Sequence, residues 1–246
     1  MKNLAMKNLA LLTLTALIAV SQSAERIFPF TQLQTPAQFA ETATVIRSLG
    51  EIRDLTVDAA QKTMTVRGDA TQVELAAWLF SRLDRGAAMD DSPPADYRPA
   101  TGNDDVVRLF YFKVPASNAN MNHMATAVRS LVEIRQAFVS NAAGVFVARG
   151  TLAQMDAAKW MMEALEQRKP GVEAATYRMP DAAGEGAIRL FTVTEASSEQ
   201  QFQEMVVALR TSSQIRRVFS YYPVRAIAVR GTDAQMEQAA GLLRKP

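Results

Sequence analysis

The sequence predicts an α+β protein of three tandem βαββα modules, each a three-stranded sheet with two helices packed on one face. Three observations predict it. First, Arg26-Ile27-Phe28, Arg108-Leu109-Phe110 and Arg189-Leu190-Phe191 open three copies of one unit, 82 and then 81 residues apart. Arg67-Gly68, Arg149-Gly150 and Arg230-Gly231 close the second half of each copy without a gap. Second, apolar residues switch between period two and helical period at the same columns in each copy. Third, both helix starts of each copy carry a capping signature.

The first 24 residues stand apart from the repeat. Lys2 and Lys7 give a basic start, Leu9 to Val20 is apolar apart from Thr13 and Thr15, and Ser21-Gln22-Ser23-Ala24 follows. That pattern is a bacterial-type secretory signal peptide, too short and wrongly flanked for a membrane span. The expected location is periplasmic or secreted. The expected division is 1–24 signal peptide, 25–85 first module, 86–104 linker, 105–168 second module, 169–186 linker and 187–246 third module.

Within each copy the first strand is expected over Arg26–Gln32, Arg108–Val114 and Arg189–Thr194. Its buried columns are Phe28/Phe110/Phe191 and Phe30/Phe112/Val193. The first helix starts after Thr35, Ser117 and Ser198, with Gln38, Asn120 and Gln201 three residues on, and Pro36 suits its first position. Its buried stripe is Phe39/Met121/Phe202, Ala43/Ala125/Val206, Ile46/Val128/Leu209 and Leu49/Leu131/Ser212, widened by Thr42/Met124/Met205. The methionines read as core filler.

Ile52/Ile134/Ile215 opens the second strand, and turns at 59–62, 141–144 and 222–225 lead into the third. Gly68, Gly150 and Gly231 are expected to permit a sharp exit from it. Asp69-x-x-Gln72, Thr151-x-x-Gln154 and Thr232-x-x-Gln235 then cap the second helix. That helix buries Val73/Met155/Met236, Ala76/Ala158/Ala239, Leu79/Met161/Leu242 and Phe80/Met162/Leu243. The segments between copies are rich in Pro, Gly, Ala and Asp and read as exposed linkers. Both contain a Tyr-Arg fragment, Tyr97-Arg98 and Tyr177-Arg178, expected to lie against a neighbouring module. A module of about 60 residues buries only about 60% of its unfolded surface, so docking between modules or chains is expected to offset the deficit.

Composition excludes several functions. Of 27 basic and 25 acidic residues, Lys2 and Lys7 leave with the signal peptide, so the exported chain carries no net formal charge. A nucleic-acid binder shows a basic surplus, and the Gly-x-x-Gly loop of an RNA-binding KH domain does not occur. The chain has no cysteine, which removes thiol catalysis, disulfides and Cys-ligated metal. The one histidine, His123, falls inside a helix and reads as a solvated or half-buried side chain. No nucleophile, base and orienting acid assemble around it, and no phosphate loop is present. No catalytic residue, cofactor or metal is expected.

The βαββα order, with a third strand ending Val66-Arg67-Gly68, Arg149-Gly150-Thr151 and Val229-Arg230-Gly231-Thr232, resembles the periplasmic N-domains of secretins. Ala148 and Asp69 depart from that pattern. The resemblance covers nearly all of the chain outside the linkers and implies a ring-building module that packs in homo-oligomers and meets secretion or pilus machinery. No segment for an outer-membrane pore follows the third module up to Pro246.

Four arginine columns recur: 26/108/189, 47/129/210, 53/135/216 and 67/149/230. As an interface they would pair with Glu74/Asp156/Glu237 and Glu51/Glu133; the plainer reading is inherited solvated surface, where a pair contributes about 0–1 kcal/mol. The interaction candidates are Arg53, Arg135, Arg216, Tyr221 and Tyr222, with sheet edges as further sites for a partner strand. The expected function is non-enzymatic protein–protein assembly in a cell-envelope secretion or pilus complex. A monomeric periplasmic adaptor for a peptide or partner is the alternative, and an envelope hydrolase using two carboxylates the third.

Overall fold

The computed structural model describes residues 23–85, 94–99, 105–112, 118–166, 175–180, 186–193 and 198–243. Residues 1–22 of the expected signal peptide and the expected cap Ser117 lie outside them.

The first unit comprises β1 (Ala24–Pro29), α1 (Pro36–Leu49), β2 (Asp54–Asp58), β3 (Thr63–Gly68) and α2 (Ala70–Leu83). β4 (Ala95–Tyr97) precedes β5 (Asp105–Tyr111), α3 (Asn118–Val132), β6 (Gln136–Ser140), β7 (Val145–Thr151) and α4 (Leu152–Glu166). β8 (Ala175–Arg178) precedes β9 (Ala187–Thr192), α5 (Glu199–Ser213), β10 (Arg217–Tyr221), β11 (Ala226–Gly231) and α6 (Asp233–Leu243). The sheets are antiparallel, ordered β1-β3-β2, β4-β5-β7-β6 and β10-β11-β9-β8.

The α+β architecture of small antiparallel sheets and helices is the expected one. The strand count differs in two places. The second and third sheets have four strands, because part of each expected linker is a strand, β4 or β8, on the edge of the sheet that follows. The tyrosine of each Tyr-Arg fragment lies in the added strand, Tyr97 ending β4 and Tyr177 within β8. Each tyrosine also packs its ring at a tilt against a tryptophan of the preceding helix, Tyr97 on Trp78 and Tyr177 on Trp160, at 5.4 Å between centroids in both cases. A short pairing with one aromatic anchor outweighs the turn-forming composition around it.

The caps set the helix boundaries. Thr35 and Gln38 close a full capping box, as do Asp69 and Gln72. Thr151–Gln154 and Thr232–Gln235 make the same two bonds, and Ser198 accepts from Gln201 N. The glycine column has a different cause from the sharp exit expected of it. A Cβ on Gly68, Gly150 or Gly231 would lie 2.5–2.6 Å from Oε1 of Gln72, Gln154 or Gln235. Glycine leaves that space to the capping glutamine, whose Oε1 an added methyl group would displace.

The buried stripes lie where helical periodicity places them in the first two units; in the third, Ser212 is exposed and Met205, Leu242 and Leu243 are only half-buried. No helix among the described residues is long and apolar enough to cross a membrane.

Candidate protein interface

Interiors do not stop at the unit boundaries. The core under α1 and α2 continues into Val107, Leu109, Val145 and Val147, on the face of the second sheet turned away from its own helices. The core of the second unit likewise continues into Ile188, Leu190, Ala226 and Ala228 of the third. α1 packs against β6, and α3 against β10. The second and third sheets are therefore covered on both faces, which is why their strands are apolar at both parities.

The first sheet has no helix on its outer face among the described residues, and its side chains differ accordingly. Thr56 stands where later copies have Phe138 and Phe219, Thr65 where they have Val147 and Ala228, and Glu25 where they have Val107 and Ile188. Ile27 is 58% exposed, while Leu109 and Leu190 in its column are 0% exposed. Stacked repeats show this polarity on an outer face.

Charge fixes both junctions in the same way. Arg149 Nη1 donates to the Leu49 carbonyl at 2.9 Å, and Arg230 Nη1 to the Leu131 carbonyl at 2.7 Å. Those carbonyls sit in the last turns of α1 and α3, where main-chain oxygens lack intrahelical donors and the helix dipole favours a cation. The next acid joins in: Glu51 Oε1 lies 3.9 Å from Arg149 Nη1, and Glu133 Oε2 lies 3.1 Å from Arg230 Nη1. Gln136 donates to Glu51 at 3.1 Å, and Arg217, in the same column, bonds Glu133. Two further contacts seat the helices: Glu41 accepts from Asn141 N at 2.7 Å and from Ala142 N, and His123 meets the Phe219 ring edge to face, with centroids 4.8 Å apart.

Glu51, Glu133 and Gln214 share a column, and all have left-handed backbone, with φ of 53°, 63° and 52°. Glycine takes that conformation with least strain. A glutamate there supplies the carboxylate that meets the following unit, and Gln214, with no following unit among the described residues, does not. Gln72 Nε2 and Gln154 Nε2 hold the Glu51 and Glu133 carbonyls at 3.0 Å, tying each acid to the capping box behind it.

The remaining arginines act within units or on the added strands. Arg108 binds both carboxylate oxygens of Asp96 on β4 and also Asp156 on α4. The Asp96 hydrogen bond leads in raising its pKa above the ordinary value. Arg189 does the same with Thr176 on β8 and Glu237 on α6. Arg47 and Arg210 donate to Leu55 O and Val218 O of their own units.

No family model matches the chain, and no curated protein matches it. Several solved structures resemble it, among them the following two. ExeD of Aeromonas hydrophila is 14% identical with a TM-score of 0.22, the match covering 91% of this chain and 40% of that one. The pilotin–secretin AspS–GspD complex of ETEC is 13% identical with a TM-score of 0.21, covering 91% and 37%. The chain spans about two fifths of the length of either. Likeness of that size establishes neither family nor function.

The candidates chosen from sequence are not gathered in one place. Arg53, Arg135 and Arg216 are exposed, each directly before β2, β6 or β10. Tyr221 ends β10 and is buried under α3, its ring 5.6 Å from that of His123, while Tyr222 is half-buried against Phe202. Sequence reading missed Glu41, Gln136, Arg217 and Asp96. The shared Tyr-Arg fragment pointed toward Asp96; nothing in the repeat pointed to Glu41, because His123 and Glu204 share its column. No three acids or histidines gather as a metal site among the described residues.

Proposed function

We propose that this chain is an exported, non-enzymatic assembly protein of the cell envelope, associated with a secretion or pilus complex. The observation that carries the assembly reading is the repeated junction, Arg149 on Leu49 and Arg230 on Leu131. A chain that fixes three copies of one unit in a constant relationship presents their surfaces as a single rigid array, which suits holding partners rather than transforming a substrate. The resemblance of the Val-Arg-Gly and Arg-Gly-Thr strand ends to secretin N-domains supports the envelope setting.

The outer faces limit how copies associate. The first sheet shows Thr56 and Thr65 outward, and α5 exposes Glu204 and Ala208, in the columns of Glu41 and Val45, with Gln214 in the column of the junction acids. Neither reproduces the junction pattern, so association with further copies or with partners is lateral rather than end to end. Light scattering on the exported protein, coupled to size exclusion, tests the oligomer; a strict monomer at high concentration removes it. Because the chain has no cysteine, single cysteines on the lateral surface give unambiguous crosslinks in the cell. Crosslinks to secretion or pilus components are expected, and their absence in an envelope where those components are present would overturn the reading.

A further inference from the structure

Two of the three units carry a strand on an edge that the first unit leaves open among the described residues. β4 lies on β5 and β8 on β9 in one register. Ala95 and Ala175 face Leu109 and Leu190, Asp96 and Thr176 face Arg108 and Arg189, and Tyr97 and Tyr177 face Val107 and Ile188. The matching strand of the first sheet is β1, paired there with β3 alone.

The backbone of that edge is arranged for the same pairing. Phe30 N donates to Lys62 O at 2.8 Å. By the alternation of an antiparallel ladder, the N–H and C=O groups of Ile27 and Glu25 therefore point away from β3. They are the counterparts of Leu109 and Val107, which β4 faces. Pro29 has no N–H, so the donor row ends at Ile27 and the footprint is the same three residues.

Side chains repeat the match. In the later units an arginine bridges the added strand and a helix acid: Arg108 joins Asp96 to Asp156, and Arg189 joins Thr176 to Glu237. Arg26 and Glu74 occupy those columns in the first unit, both exposed, with the Arg26 guanidinium 5.2 Å from the Phe28 ring centre. The opposite edge is protected instead, since Arg47 covers the Leu55 carbonyl of β2 and Arg210 the Val218 carbonyl of β10.

We infer that the β1 edge over Glu25–Ile27 is a strand-addition site for an extended segment of a partner protein. That segment carries an aspartate or hydroxyl residue opposite Arg26 and a small residue opposite Ile27. The inference rests on the assembly reading and names one of its surfaces.

The test uses the exported chain, isotope-labelled, and two synthetic peptides: one with the sequence of residues 93–99, the other carrying Asp96→Lys. Amide hydrogen exchange at Glu25 and Ile27 is followed as each peptide is added at millimolar concentration. Both amides are expected to slow with the first peptide, and the second to bind about three- to fivefold more weakly, as an exposed ion pair allows. In the Arg26→Glu protein the order of the two peptides reverses. No slowing, equal binding of both peptides, or full protection of both amides before any peptide is added (the chain's own residues then filling the edge) would each overturn the site. None of those results alters the light-scattering or crosslinking outcome, so failure here and failure of the assembly reading are separable.

Discussion

Arg230 donates to the carbonyl oxygen of Leu131, 99 residues earlier in the chain, and Arg149 makes the same bond to Leu49 across 100 residues. One bond thus serves twice, as a cap on a helix end and as the lock between consecutive units. Its loss has a definite cost. Arg230→Ala is expected to destabilise the chain by about 1–2 kcal/mol, since a buried carbonyl loses its donor. Arg67→Ala, in the same column but exposed and paired with Glu25 of its own unit, leaves the urea midpoint unchanged. Equal effects at the two positions would contradict the assignment.

The outer face of the sheet offers a second comparison within one column. Leu109→Ala removes a fully buried side chain and is expected to cost about 2–4 kcal/mol. Ile27→Ala, largely exposed, changes stability little. Urea denaturation of both variants decides this.

Gly150→Ala puts a methyl group 2.6 Å from Gln154 Oε1. A loss of about 1–2 kcal/mol is expected, the scale of a lost cap with some crowding. If the glycine serves the glutamine, the double variant Gly150→Ala/Gln154→Ala costs clearly less than the sum of the two single changes. Strict additivity would refute that link.

Thr42 is wholly buried in α1, and its Oγ1 has no hydrogen-bond partner. Thr42→Val keeps the shape and removes the orphaned hydroxyl, so stability should rise by about 1 kcal/mol. A decrease would indicate a partner for that oxygen.

Tyr97, Tyr177 and Tyr221 all have pKa values above the ordinary 10.0, burial being the larger cause in each, with Glu74, Asp156 and Glu166 respectively adding to it. A raised folded-state pKa means their contribution is intact below pH 10.0 and is lost as pH rises from there through the folded values. Chemical denaturation across that range should show falling stability, with a smaller fall in Tyr221→Phe. Phenolate absorbance of the native chain should develop later than that of the unfolded chain.

The repeated unit was legible because strand parity, helical stripes and caps all recur in register; Thr35, Asp69, Thr151 and Thr232 begin helices as their neighbours dictate. The junctions were less legible, because a reading confined to each copy compares a residue with its neighbours in sequence. Comparing copies would have shown them: Thr56 against Phe138 and Phe219, and Thr65 against Val147 and Ala228, mark a face polar once and covered twice. The arginine columns illustrate the same limit. Columns 53/135/216 and 67/149/230 have similar sequence signatures, and only the position of the preceding helix end makes Arg149 and Arg230 the locking residues. β4 and β8 escaped periodicity because strands of three or four residues have none to show.

The two junctions are successive and alike, so every unit faces the same way and the stack has a front and a back of unlike chemistry. A polar sheet lies at one pole and the open face of α5, with Glu204 and Ala208, at the other. Whatever docks along the side therefore meets the three units at a set spacing and heading, as on a gauge with marked ends. Orientation along an axis is then a property of the monomer itself, available before any companion arrives.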